Sequence, residues 1–295
     1  MLLSLFRHRE LILRLVKRDL KVRYKSSVLG FLWSVAKPLL LVAIYTFAFD
    51  TLLNLKLPAP EIPFSMHMMA GLLPWVYFST AVGESIHVIL ANASLIKKIR
   101  LPNEVFPVAT VLSNLGHFLL ALPVLFGFMA WKGIFLTWQA LWLVPLILLQ
   151  TALAVALALL LSALTVYYRD VASACEVIFT AWFYATPIIY PISLVAQVFG
   201  LAGPSAPAHP TWLLRVYFLN PMTPLVLAYR RVLLYACPLG PDKIVPAPEY
   251  ASFAGAHPDL WLAGQLGVCV GVTAALFVLG AWVFRRYSRF FADEL

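Results

Sequence analysis

Glu84 and His87 stand three residues apart inside a long apolar stretch, a spacing that puts two side chains on one face of a helix. Asp50 and His117 are the other ionisable residues well inside such stretches, once Lys37, His67 and Glu176 near the ends are set aside. A charge in a bilayer core costs about 2.5–3.5 kcal/mol even on a lenient scale, so each of these is a functional hypothesis by default. A carboxylate beside an imidazole can relay a proton. The competing reading is a structural pair inside a bundle, favoured because no second carboxylate lies nearby in sequence. Other chemistry is absent. No G-x-x-x-x-G-K-[ST] run occurs and no Lys follows a Gly, so there is no P-loop to cradle nucleotide phosphates. H-E-x-x-H and G-x-S-x-G are also missing. Cys175, Cys237 and Cys269 lie far apart, without zinc or disulfide spacing. The expectation is a protein that is not an enzyme and carries no cofactor or metal of its own.

Binding surfaces are better supplied. In residues 92–104, Leu95, Ile96, Ile99 and Leu101 interleave with Lys97, Lys98 and Arg100, and Pro102 bounds the run. Two readings stand: a basic anchor at the cytoplasmic face, or a docking helix for a cytoplasmic subunit, whose apolar residues exceed what a solvated loop needs. Nearer the start, Arg7, Arg14, Arg18, Lys21 and Lys25 follow one another at spacings of 7, 4, 3 and 4, which places them on one helical face. Leu13, Val16 and Leu20 give an apolar stripe elsewhere on that helix. Such a helix lies in the headgroup region with its cations toward anionic lipid or a partner. Aromatic residues make up 14% of the chain, and interfacial belts account for most of them. A subset lining a passage would hold sugar rings on their faces and let them slide.

The elements that must carry these residues follow from composition. Of 295 residues 62% are hydrophobic and 12% charged, and mean hydropathy is +0.87. A soluble domain carries about 25% charged residues. A membrane-spanning helix takes about 20 apolar residues, and six stretches qualify: residues 30–53, 65–90, 106–131, 140–166, 176–195 and 262–284. An all-α integral membrane protein of six transmembrane helices is expected, with an interfacial helix over residues 1–28 and the six-span domain over 29–295. Sixteen Lys and Arg fall on the side holding both termini and six on the other, so both termini are expected in the cytoplasm. The net charge of +9 then reflects loop bias, not nucleic-acid binding. Basic residues recur through positions 7–25, leaving no uninterrupted apolar core for a cleaved signal. Residues 196–259 are rich in Pro and Gly and carry two apolar pieces, 212–219 and 225–235, too short to cross a bilayer. They predict short external helices dipping into the outer leaflet, with Arg230 and Arg231 near headgroups or a pathway mouth. Residues 239–258 read as an exposed external loop.

Six motifs in order resemble the permeases of ABC transporters that export polysaccharides. They are the run from Arg18 through Lys25 with Val28-Leu29-Gly30-Phe31-Leu32-Trp33 and Pro38-Leu39; Gly71-Leu72-Leu73-Pro74-Trp75; Leu95-Ile96-Lys97-Lys98-Ile99 with Pro102; Tyr168-Arg169-Asp170; Pro187-Ile188-Ile189-Tyr190-Pro191; and Leu219-Asn220-Pro221-Met222. Each is weak alone, but their order and spacing hold over about residues 10–235. The family includes O-antigen, capsule and teichoic-acid exporters. The resemblance implies a homodimer in the cytoplasmic membrane, paired with two cytoplasmic ATP-binding-cassette subunits that hold the ATP and Mg²⁺. Its implied ATPase-coupling residues are Leu95, Ile96, Lys97, Lys98, Ile99 and Arg100, with Arg169 and Asp170 as a second contact. Arg14, Arg18, Lys21, Arg23 and Lys25 would attract the anchor or headgroups of a lipid-linked glycan. The candidate pathway residues are Trp33, Tyr45, Phe78, Glu84, Trp182, Tyr184, Tyr190, Asn220 and Arg230. A teichoic-acid exporter is the alternative within the family. From other classes come a proton-coupled secondary transporter using Glu84 and His87, against which the lack of an internal repeat counts, and a structural subunit that moves nothing.

Overall fold

The computed structural model describes residues 7–25, 32–98, 102–199, 212–237 and 246–294, and no strand occurs among them. Helix α1, Arg9–Lys25, is the amphipathic helix expected near the start. Its buried stripe differs from the expected one. Ile12 and Leu15 are buried and Val16 and Leu20 half-buried, whereas Leu13 is exposed. Positions 12, 15 and 16 repeat at the i, i+3, i+4 spacing of one face, and Leu13 points about 100° away from Ile12. Arg14, Arg18 and Lys21 are exposed, while the side chains of Arg23 and Lys25 lie outside the described residues.

Helix α2, Leu32–Tyr45, runs on as a π-helical stretch, Thr46–Leu52. Then come α3, Phe64–Ala91, the short α4, Ala93–Lys98, and α5, Val105–Trp131. A 3₁₀ turn, Trp138–Trp142, leads into α6, Leu143–Tyr167, which is followed by α7, Asp170–Ala185. The chain continues through α8, Ile192–Val198, α9, Trp212–Tyr217, and α10, Met222–Leu233. It ends with α11, Pro258–Tyr287, and α12, Phe291–Glu294.

Among the described residues three helical stretches are long and apolar enough to cross a membrane: Val105–Trp131, Trp138–Tyr167 and Pro258–Phe290. The fifth expected stretch is built differently from its sequence outline. Its helix starts at Asp170 and stops at Ala185, and Thr186 is extended, at φ −104° and ψ 139°. Pro187 follows, and a proline drives the residue before it out of the helical region. Sixteen residues of helix reach about 24 Å, short of a hydrocarbon core of about 30 Å.

Helix α3 is the hub and packs on α2, α5, α6, α7 and α10. Polar side chains tie it to α6. Buried Gln150 donates to the Pro74 carbonyl at 2.6 Å, and Tyr77 and Thr151 share a hydroxyl hydrogen bond of 2.9 Å. Helix α11 lies along α6, and a Cβ on Gly280 would overlap the Ala156 carbonyl oxygen. A small residue there lets the two backbones approach, as in membrane helix pairs. Helix α10 is short, at 12 residues, and every residue in it except Arg231 is buried. A second apolar cluster joins α1, the end of α3, the start of α5 and the ends of α6 and α11.

Candidate functional site

One end of the bundle collects the basic elements. Lys97 and Lys98 of α4 are exposed, while Leu95 and Ile96 lie half-buried against the second apolar cluster. The helix starts directly from α3, where Asn92 donates its side chain to the Val88 carbonyl at 2.8 Å. An apolar underside and a cationic outer face are what a docking helix requires. Ile99 and Arg100 lie outside the described residues. Tyr168, Arg169 and Asp170, in the sharp turn between α6 and α7, are all exposed. Asp170 sits in the first turn of α7, where a carboxylate suits the positive end of the helix dipole.

These two predicted contacts share a support that sequence reasoning missed. Helix α12 touches both α4 and α6. Phe291 is fully buried there, its ring against Phe284, while the Tyr167 hydroxyl donates to the Tyr287 carbonyl at 3.0 Å. Asn103 donates to the Ser288 carbonyl at 3.3 Å and so draws the start of α5 into the same knot. The one signal in the sequence is an aromatic pair, Phe290-Phe291, in an otherwise polar tail.

Six of the proposed pathway residues form one aromatic seam between α2, α3, α7 and the segment beyond it. Tyr45 meets Phe183, and Phe183 meets both Trp75 and Tyr184. Phe78 packs edge-on to Trp182 with ring centroids 5.2 Å apart. The Trp182 indole donates to the Asn220 side-chain oxygen at 2.6 Å, which also accepts the Met222 amide. Asn220 in turn donates to the Thr186 hydroxyl at 3.0 Å. The Tyr190 hydroxyl donates to the Tyr184 carbonyl at 2.7 Å and lies 3.3 Å from that of Tyr217. The seam is graded, with Phe78 sealed and Tyr184 exposed. Cys175 is the buried residue of α7, whose outer face presents Val177, Ile178 and Tyr184. The side chain of Trp33 lies outside the described residues. Glu84 lies apart from the seam and accepts a 2.7 Å hydrogen bond from Asn114 of α5, while His87 is exposed.

Arg230, expected near headgroups or a pathway mouth, is withdrawn into the bundle, its side chain 0% exposed. The guanidinium pairs with Glu249 at 3.1 Å and donates to the carbonyls of Ile188 at 2.6 Å and His67 at 3.3 Å. Glu249 also accepts the Ile192 amide at the start of α8. Burial pushes the Glu249 carboxyl above its ordinary range, while Arg230 and the Ile192 amide pull it back. The pair thus joins α3, the turn after α7, α8, α10 and residues 246–250. Glu249 and Tyr250 are buried, so this part of the expected exposed loop packs inward. Gly71 makes room: a Cβ there would stand 3.0 Å from the Arg230 guanidinium. Next door, Arg231 grips Asp259 with two hydrogen bonds, at 2.7 and 2.9 Å.

Among the described residues no group of three or more His, Cys, Asp or Glu could hold a metal ion. The family model of the ABC-2 type transporter matches residues 10–234. The chain is 35% identical over 192 residues to an O-antigen export system permease protein RfbA of Myxococcus xanthus, covering 65% of this chain and 72% of that protein. Two proteins of the same description from Klebsiella pneumoniae are 30% and 31% identical, over 76% and 75% of this chain and 80% and 79% of theirs. With its bundle of long apolar helices, the chain belongs to the ABC-2 type transporter family as a multi-pass membrane permease.

Proposed function

We propose that this chain is the transmembrane subunit of an ATP-driven exporter that carries lipid-linked O-antigen from the cytoplasm to the outer side of the inner membrane. The observation that carries the proposal is the likeness, over about three quarters of the chain, to permeases described as O-antigen export proteins. In this reading six segments span the membrane, both termini are cytoplasmic, and α9 and α10 dip into the outer leaflet. Two copies face each other along α2 and α7, and two separate subunits bind ATP and Mg²⁺. Helix α4 and the Tyr168–Asp170 turn receive the motion of those subunits, and the shared support of α12 lets them move together. The two copies then part, and the glycan slides along the aromatic seam while its anchor stays in the bilayer. The basic face of α1 attracts the anchor's diphosphate electrostatically.

The test is affinity purification of the tagged chain from native membranes, followed by mass spectrometry and an ATPase assay. A stoichiometric P-loop subunit with vanadate-sensitive hydrolysis is the expected result. A lone, ATP-inert chain would overturn the proposal.

A further inference from the structure

Lys37 is near the end of its apolar stretch in the sequence but not in the fold. Its neighbour Pro38 packs beside Leu73 and Ala121. Leu73 stands 18 residues before the end of α3 at Ala91, and Ala121 stands 16 residues after the start of α5 at Val105. At 1.5 Å per residue those steps are about 27 and 24 Å, which sets Lys37 deep within the height of the bundle. Its side chain is nonetheless exposed, and its ammonium makes no hydrogen bond or ion pair among the described residues. A bare cation at that depth is costly in hydrocarbon and calls for a partner.

One acid stands at a similar height. Tyr45 of α2 and Phe183 of α7 touch, with ring centroids 6.1 Å apart, and both helices run away from the α4 end of the bundle. Lys37 lies eight residues before Tyr45, and Glu176 lies seven before Phe183. Steps of about 12 and 10.5 Å back from one contact leave the two charges within about one helical turn in height. Lys37 is the one charged residue of α2, and Glu176 the one charged residue of α7 beyond Asp170. Glu176 is exposed as well, and its carboxylate has no partner among the described residues. Directions decide which groups can meet. Seven residues return a helix to nearly the same face, so Glu176 shares the face of Phe183. Eight residues leave Lys37 about 80° round from Tyr45, on the side away from buried Pro38 and Val42, so it looks out of the chain. A two-fold axis that sets α2 of one copy against α7 of the other makes every contact occur twice. A face with one cation and one carboxylate at similar height is then complementary to itself.

We propose that Lys37 of each copy forms an ion pair with Glu176 of the partner subunit, giving two pairs that hold the copies in register across the passage. This rests on the reading that the two copies meet along α2 and α7. Each pair satisfies two charges that would otherwise be stranded at membrane depth, and parting the copies breaks both pairs.

The test co-expresses two differently tagged full-length chains and measures capture of one by the other in a neutral detergent. Wild type should capture wild type. Lys37→Glu on both chains sets two carboxylates together at each contact and should cut capture at least tenfold, and Glu176→Lys on both chains should do the same. Lys37→Glu on one chain with Glu176→Lys on the other restores opposite charges at both contacts between copies, while each chain by itself carries like charges. Capture by that mixed pair should return to within about twofold of wild type, which also shows that both variant chains fold. Lys37→Met removes the charge without reversing it and should cut capture about threefold, a readout that stands if a reversed charge does not fold. Wild-type capture by all the variants, a loss with only one of the two charge reversals, or no recovery in a mixed pair whose chains each elute as folded single species would overturn the ion pair alone. A wild-type chain that does not capture its second copy would overturn the two-copy reading and the pair with it.

Discussion

Arg230 and Lys97 are cations on helices at opposite ends of the bundle, and the protein treats them in opposite ways. Arg230 is withdrawn from solvent and held by Glu249 and two carbonyls, whereas Lys97 stands exposed on α4. Burying a charge is tolerable only when its desolvation is offset by a partner and by hydrogen bonds. The Arg230 end makes that investment and becomes one braced body. The α4 end leaves its cations hydrated and its apolar underside packed, which leaves the charges free to meet another surface. The difference separates a region built to hold its shape from one built to be touched.

The sharpest way to break this contrast is to unpair the buried charges. Arg230→Met strands the Glu249 carboxylate and should cost about 3–5 kcal/mol, read as a large drop in Tm in detergent. Arg230→Met combined with Glu249→Leu should recover most of the loss, because the burial cost of both charges disappears together. Equal losses for the single and double variants would mean that the pair braces nothing. Next comes Gly71→Ala, which sets a methyl group 3.0 Å from the guanidinium and 3.3 Å from Val226. Overpacking of this kind costs about 1–3 kcal/mol, and its effect should shrink when Arg230 is already Met. Smaller again is Trp182→Phe, which keeps the ring contacts with Phe78 and removes the hydrogen bond to Asn220. About 1 kcal/mol is expected. Transport should fall further than stability does, if the seam is where the glycan slides.

Local patterns in the sequence carried much of this architecture. The apolar stretches at 106–131 and 140–166 stand as α5 and α6 to within a few residues, because their length and composition leave a helix few alternatives. The short helices at 212–217 and 222–233 were legible for the converse reason, being apolar but interrupted by Asn220-Pro221. The seam residues recur at helical spacing on two neighbouring helices, Trp75 and Phe78 on one, Phe179, Trp182 and Phe183 on the other. Glu249 was not legible. It lies 19 residues beyond Arg230 in a proline-rich stretch with no period, and a pairing across that distance leaves no local trace. The clue was the Arg230-Arg231 pair on an otherwise largely apolar helix, which implies acidic partners without saying where. The α12 knot was missed likewise, since Phe291 has meaning only once α6 and α11 bring Tyr167 and Phe284 beside it.

The smallest expected effect on stability belongs to Lys97→Glu/Lys98→Glu, and it is the most informative for function. Both side chains are exposed, so their reversal changes no packed contact, and surface substitutions rarely shift stability appreciably. Tm and helicity should match wild type, while co-purification of the ATP-hydrolysing subunit and export should fall at least tenfold. The charge change acts on an encounter, so raising ionic strength should narrow the gap between the two proteins, as exposed charges are screened beyond about 8–10 Å. Unchanged association and export would remove α4 from the coupling role. A fall in Tm to match the loss of association would move it, with Arg230, into the group of residues that only hold the fold.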